Sequence, residues 1–276
     1  MVKPYVEVEV RGKKILRIDV PFDVALNSLR SEGIQKPLTS EELVSARIYH
    51  PKGKESSLVT RGSYTCAGFV YLKGEKPIRA PDSPLLNASL AKKVTRANRN
   101  GRYFVIDNAE MYEVHAKLAK DDENKKPEKR RAIVLPSRDS FQISATENPE
   151  VFANIFGKAG KKYLEFLGFE HLTVCLVDKG IVDAQNGTIL TQEWLARLDC
   201  GSNVNGDGRG LTFGCTVRGV QLVTGEASSQ KPSKLVQPYT TKDLRAAKKE
   251  LTRLSEILQP NQFSNLRGLV SKLRGN

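Results

Sequence analysis

Between Tyr5 and Val20 the chain alternates apolar and charged residues at period two. Val6, Val8 and Val10 alternate with Glu7 and Glu9, and Leu16, Ile18 and Val20 alternate with Arg17 and Asp19. That period belongs to a strand with one dry and one wet face. It predicts a β-hairpin, with Gly12 in the link "RGKK" supplying the tight turn. Strand-like texture recurs in "SYTCAGFVYL" (63–72), "RYFVI", "AIVLP", "SFQIS", "HLTVCLV" and "LTFGCTVRGVQLV", where Gly219 suggests a bulge. "YEVHAKL" places Tyr112, Val114, Ala116 and Leu118 on one face of a further strand, and "IVDAQNGTIL" reads as a hairpin turning at Asn186-Gly187.

Helices are expected between these strands. One covers Asp23 to Glu32. A second starts at Thr39, where "TSEEL" supplies a capping hydroxyl and early acids. A third crosses "DSPLLNASLAKKVTRANRNG", capped by Asp82 or Ser83 and closed by Gly101. A fourth runs from Asn148 through Phe156 and a short fifth through Leu167, and "TQEWLARL" reads as a sixth. The expected fold is therefore α+β: mainly antiparallel sheet, or a partly closed barrel, with inserted helices and a C-terminal helical hairpin.

The hairpin is the stretch after the polar segment "EASSQKPSK", which divides the chain into a β-rich body (1–228) and a basic tail (229–276). Leu244, Ala247, Leu251, Leu254 and Leu258 form one helical stripe, and Phe263, Leu266, Val270 and Leu273 a second. Ten lysines or arginines against three acids leave the tail at +7.

The whole chain carries a formal charge of +13 over 276 residues. That excess favours a polyanionic partner. No apolar run reaches the roughly 20 residues of a membrane span. Cys66, Cys175, Cys200 and Cys215 stand apart with no C-x-x-C pair, which suggests free thiols in a reducing cytoplasm rather than a zinc site.

Motifs for chemistry are sparse. "FGKAGKKY" lacks the spacing and the hydroxyl of a phosphate loop, and "NVNGDGRG" lacks the closing glutamate of a calcium loop. The three histidines share no ligand spacing. Glu123 and Lys125 form an E-x-K triplet downstream of Asp107, the raw material of a metal-dependent nuclease, but in a polar loop. No metal, cofactor or catalytic residue is expected.

Positive charge is more informative. From Asp82 to Asp107 no acid intervenes, yet Lys92, Lys93, Arg96, Arg99 and Arg102 do, followed at once by Tyr103 and Phe104. Lys129, Arg130 and Arg131 end a charged loop between two expected strands, and Lys242, Arg245 and Lys249 lie off the leucine stripe of the tail. Cations near rings fit single-stranded nucleic acid, with phosphates held by the cations and bases stacked on Tyr64, Phe69, Tyr71, Tyr103 and Phe104. The expectation is thus a non-catalytic nucleic-acid-binding protein for DNA or RNA. A structural or assembly subunit, using the C-terminal helices for a protein partner or self-association, is the alternative, and a nuclease the third reading.

Overall fold

The computed structural model describes residues 4–10, 13–197, 203–207 and 216–222. All of them belong to one compact unit, Met1–Val223. The expected C-terminal helical hairpin, with Lys242, Arg245 and Lys249, lies outside the described residues.

The architecture is mixed α+β around a large, open, mostly antiparallel sheet. The opening hairpin forms as expected: β1 (Tyr5–Val10) pairs antiparallel with β2 (Lys13–Asp19), with a register shift between Val6 and Val8. β3 (Ser63–Tyr71) is buried along its whole length. It pairs antiparallel with β4 (Ile78–Ala80), which in turn pairs with β6 (Ile133–Val134). On its other side β3 pairs with β9 (Thr188–Leu195), and β5 (Val105–Ile106) also pairs with β9. β7 (Phe141–Ile143), β8 (Leu172–Cys175) and β10 (Val204–Asn205) extend the sheet beyond β9. β11 (Thr216–Leu222), the last strand among the described residues, inserts between β2 and β3. The main path reads β1-β2-β11-β3-β9-β10-β8-β7, with parallel pairing between β11 and β3 and between β10 and β8. A path with two ends is an open sheet, not a barrel.

Helices cover both faces. On one face α1 (Phe22–Ser31), α4 (Ala88–Arg99) and α5 (Glu110–Asp121) pack Leu26, Leu29, Ala91, Val94 and Tyr112 against Leu16, Ile18, Val70, Leu190 and Val217. On the other, α2 (Ser40–Ile48), the short α3 (Ser57–Thr60), α6 (Pro149–Phe156), α7 (Gly160–Leu167) and α8 (Lys179–Asp183) bury a layer that includes Ile15, Leu58, Phe69, Tyr71, Ile189 and Leu195. Two covered faces explain why β3 lacks alternation: both of its sides are core.

Four expectations are corrected. "YEVHAKL" is helical, not extended. Asn108 Oδ1 accepts from Glu110 N at 3.2 Å, acids fill the first turn and Lys120 the last, an arrangement that favours the helix dipole. "TQEWL" is the C-terminal part of β9, not a helix, because Gln192 and Glu193 are buried with partners rather than facing solvent. The "IVDAQNGTIL" segment begins as α8, whose cap Asp178 accepts from Gly180 N and Ile181 N. Gly219 forms no bulge. β11 and β2 run in unbroken register from Thr216↔Asp19 to Leu222↔Lys13, and a Cβ at Gly219 would lie 2.7 Å from Ile34 Cγ2.

Candidate functional site

The helix with the densest acid-free charge, α4, is held firmly. Asn87 Oδ1 caps it by accepting from Ser89 N and Leu90 N, at 3.0 and 3.2 Å. Its inner face packs on α1, and Arg30 of α1 donates to Leu86 O just before the helix. Gly101, at φ 67°, closes it. Gly101 N donates to Asn98 O at 2.9 Å and Arg102 N to Ala97 O at 3.2 Å, the two bonds of a Schellman motif. Asn98 Nδ2 adds a bond to Arg102 O. The backbone of Arg102 is therefore fixed relative to the helix.

This exit faces α8 across a cleft of about 610 Å3 lined by Asn98, Gly101, Arg102, Tyr103, Ile181 and Gln185. α8 is anchored by buried Val182 and by Asp183, which accepts from Arg138 and from Gly74 N. Arg138 holds the Asp183 carboxyl below its ordinary range. The cleft thus joins a guanidinium, side-chain amides, an isoleucine and the half-buried ring of Tyr103.

Beneath the helices α2, α6 and α7 the sheet face is wired by charge. Glu193 on β9 accepts from Arg79 Nε at 2.5 Å, Arg79 Nη2 at 3.2 Å, Thr65 Oγ1 at 2.8 Å and Ser40 Oγ. Arg79 Nη1 reaches Asn154 Oδ1 at 2.7 Å. Burial pushes the Glu193 carboxyl up, but the Arg79 charge and these bonds outweigh it and hold it low. Glu7 accepts from Arg218 Nε at 2.5 Å, Arg17 Nη1 at 3.3 Å and Ser57 Oγ at 2.5 Å. Burial is again opposed and outweighed, first by the Arg218 bond. Arg47, fully buried, has neutral acceptors: Leu58 O at 2.7 Å, Tyr163 Oη at 2.5 Å, and Arg61 O and Leu195 O at 3.3 Å. These groups fasten layers together; none opens to solvent.

The expected site residues separate into three sets. Lys92, Lys93, Arg96, Arg99 and Arg102 are exposed on α4 and its exit, and Tyr103 follows them into the cleft. Lys129, Arg130 and Arg131 lie elsewhere, in a helix-to-strand connection rather than a hairpin loop. Arg131 donates through Nε (2.9 Å) and Nη2 (2.8 Å) to Asp122, whose carboxyl this bond and one from Lys125 hold well below its ordinary range. Arg130 donates to Glu123 O, Lys125 O and Glu150 of α6. Two of the three cations are thus consumed by their own connection. The third set, in the tail, is not described.

The stacking platform does not exist. Tyr64, Phe69 and Tyr71 are at most 4% exposed. Tyr103 packs toward one core layer and Phe104 toward the opposite one. The nuclease reading loses its geometry as well: Lys125 pairs with Asp122, and among the described residues no three His, Cys, Asp or Glu side chains converge. The sequence alone does not point to Ile181 and Gln185, because a hairpin pattern over "IVDAQNGTIL" hides the helix that sets them beside the α4 exit.

No protein-family profile matches the chain, and no curated protein matches it. Its structure is similar to a solved one from Nanoarchaeota described as "Accommodation of massive sequence variation in Nanoarchaeota by the C-type lectin fold". The match has a TM-score of 0.51 and 14% identity over 78% of this chain and 100% of that one. The mixed α+β fold is thus similar to the C-type lectin fold of that protein. That likeness, together with the buried rings, overturns the expectation of a nucleic-acid-binding protein.

Proposed function

We propose that the chain is a non-catalytic recognition protein that uses this fold as a rigid frame and meets its ligand at the cleft between the α4 exit and α8. One observation carries the reading. The groups that specify the fold, around Glu193, Glu7 and Arg47, are interior, whereas Arg102 and Gln185 stand at the rim of a preformed concavity. Side chains at such a rim change with little cost to stability. The similar solved protein is described as accommodating massive sequence variation, which is what a frame of this kind permits. A concave site with a few convergent polar groups among apolar ones is the usual form of a ligand site.

The test is a printed array of glycans and peptides probed with the full chain and with Arg102→Ala/Gln185→Ala. The expected result is a set of ligands retained by the native chain and lost by the variant, with melting temperatures within about 4 °C of each other. Equal retention by both chains, or none by either, removes the cleft as the contact site.

A further inference from the structure

The cationic face of α4 is the feature the fold does not explain. Lys92, Lys93, Arg96, Arg99 and Arg102 are all exposed, and among the described residues none of them is in an ion pair. Several exposed cations elsewhere are paired: Lys36 with Asp82, Lys179 with Asp139 and Arg131 with Asp122. α2 and α5 each place two acids in the first turn; α4 has none. Lys92 and Arg96 stand four apart, and Arg96 and Arg99 three apart. Like charges at those spacings destabilise a helix by a few tenths of a kcal/mol each. The arginines of the last turn gain something from the helix dipole, but Lys92 and Lys93 lie too far from it. The helix therefore carries a repulsion that no ion pair among the described residues offsets.

We infer that this face binds an extended acidic segment of a protein partner, whose apolar end residue enters the adjoining cleft; the cleft half of this inference rests on the function proposed above. Lys92, Arg96 and Arg99 form a row about 10 Å long at a rise of 1.5 Å per residue. Neighbouring cations four apart are about 6 Å from each other along it. Carboxylates on alternate residues of an extended chain repeat at about 7 Å, close to that interval. The Schellman exit then carries the chain from this helix to Arg102, which lines the adjoining cleft. Ile181 and the half-buried Tyr103 give the cleft an apolar wall, which suits a leucine-like side chain.

The probe is a fluorescent peptide of alternating glutamate and serine ending in leucine, with a twin ending in serine, measured by anisotropy against the full chain at low and physiological salt. Arg96→Gln/Arg99→Gln keeps helix propensity and removes two charges. Lys161→Gln/Lys162→Gln removes two exposed charges from α7 as the control. The expected result is weakening of about fivefold or more in the α4 variant, from two exposed charge contacts, and less than about twofold in the control. The inference is overturned if the control matches the α4 variant, if the peptide does not bind, or if a heparin fragment of equal charge competes better than the peptide. Failure of the cleft reading has a different signature. The leucine and serine peptides then bind alike, while the α4 variant still weakens both.

Discussion

Glu193→Gln exchanges one carboxylate oxygen for an amide at a position whose side chain is 1% exposed, against an Arg79 side chain that is 2% exposed. The native carboxylate accepts from both Nε and Nη2 of Arg79, from Thr65 and from Ser40. Glutamine keeps one acceptor oxygen and turns an NH2 group toward groups that are themselves donors. The guanidinium then remains buried without a counter-charge. Breaking a buried pair from one side costs about 3–5 kcal/mol, or a melting temperature lower by about 10 °C for a unit of this size. Arg79→Met leaves the converse, a buried carboxylate held by two hydroxyls, at similar cost. Arg79→Met/Glu193→Gln removes both charges, and its loss should fall short of the sum of the singles by about 2 kcal/mol. Urea unfolding followed by circular dichroism on the four chains measures all three values. Single losses under about 1 kcal/mol, or additivity within about 0.5 kcal/mol, would refute the claim that this charge pair is enclosed and interdependent.

Other consequences can be checked alongside. Gly101→Ala forces an alanine into φ 67° with open space around its Cβ, so it should cost about 1 kcal/mol through backbone strain alone, read as a small fall in melting temperature. Tyr163→Phe removes an acceptor from buried Arg47 and should destabilise by about 1.5–3 kcal/mol in the same urea assay, whereas Phe166→Leu, a partly buried ring nearby, should cost less. Glu7 and Glu193 are held below their ordinary values in the folded chain. Their stabilisation is complete above the unfolded carboxylate range near 4.5 and is lost as pH falls from there through the folded values. Thermal melts should therefore be flat from neutrality to about pH 5 and drop steeply below. Burial pushes the Cys66 thiol up to about 12; mass spectrometry after iodoacetamide at neutral pH should find it unlabelled in the native chain and labelled in denaturant.

Local signals were legible in the sequence. The β1–β2 hairpin, the Thr39 capping box, the Pro149 start of α6 and the Gly101 exit of α4 each depend on residues a few positions apart. Long-range signals were not. Glu193 reads as solvent-facing until Arg79, 114 positions away, and Ser40, 153 away, are placed against it; only then does β9 make sense as a central strand. α5 satisfies both periods, since Tyr112 and Ala116 align at spacings of two and of four. Burial of His115 and exposure of Val114 settle it. The cationic face of α4 was legible because charge without acid is a local property. The aromatic platform was not, because exposure of a ring depends on layers that fold over both sides of the sheet.

β11 enters between β2 and β3, strands made some two hundred and some one hundred and fifty residues earlier, and its Arg218 supplies the counter-ion of Glu7 across 211 positions. During synthesis the nascent sheet therefore has a gap in its middle, lined by two unpaired strand edges and by a Glu7 carboxylate that has Arg17 and Ser57 but still lacks Arg218. Docking of the last strand must wait until that segment clears the ribosome. The intermediate has exposed pairing groups on either side of the gap, so a chaperone, or a strand from a neighbouring copy, has its best opportunity to engage before residues 216–222 arrive.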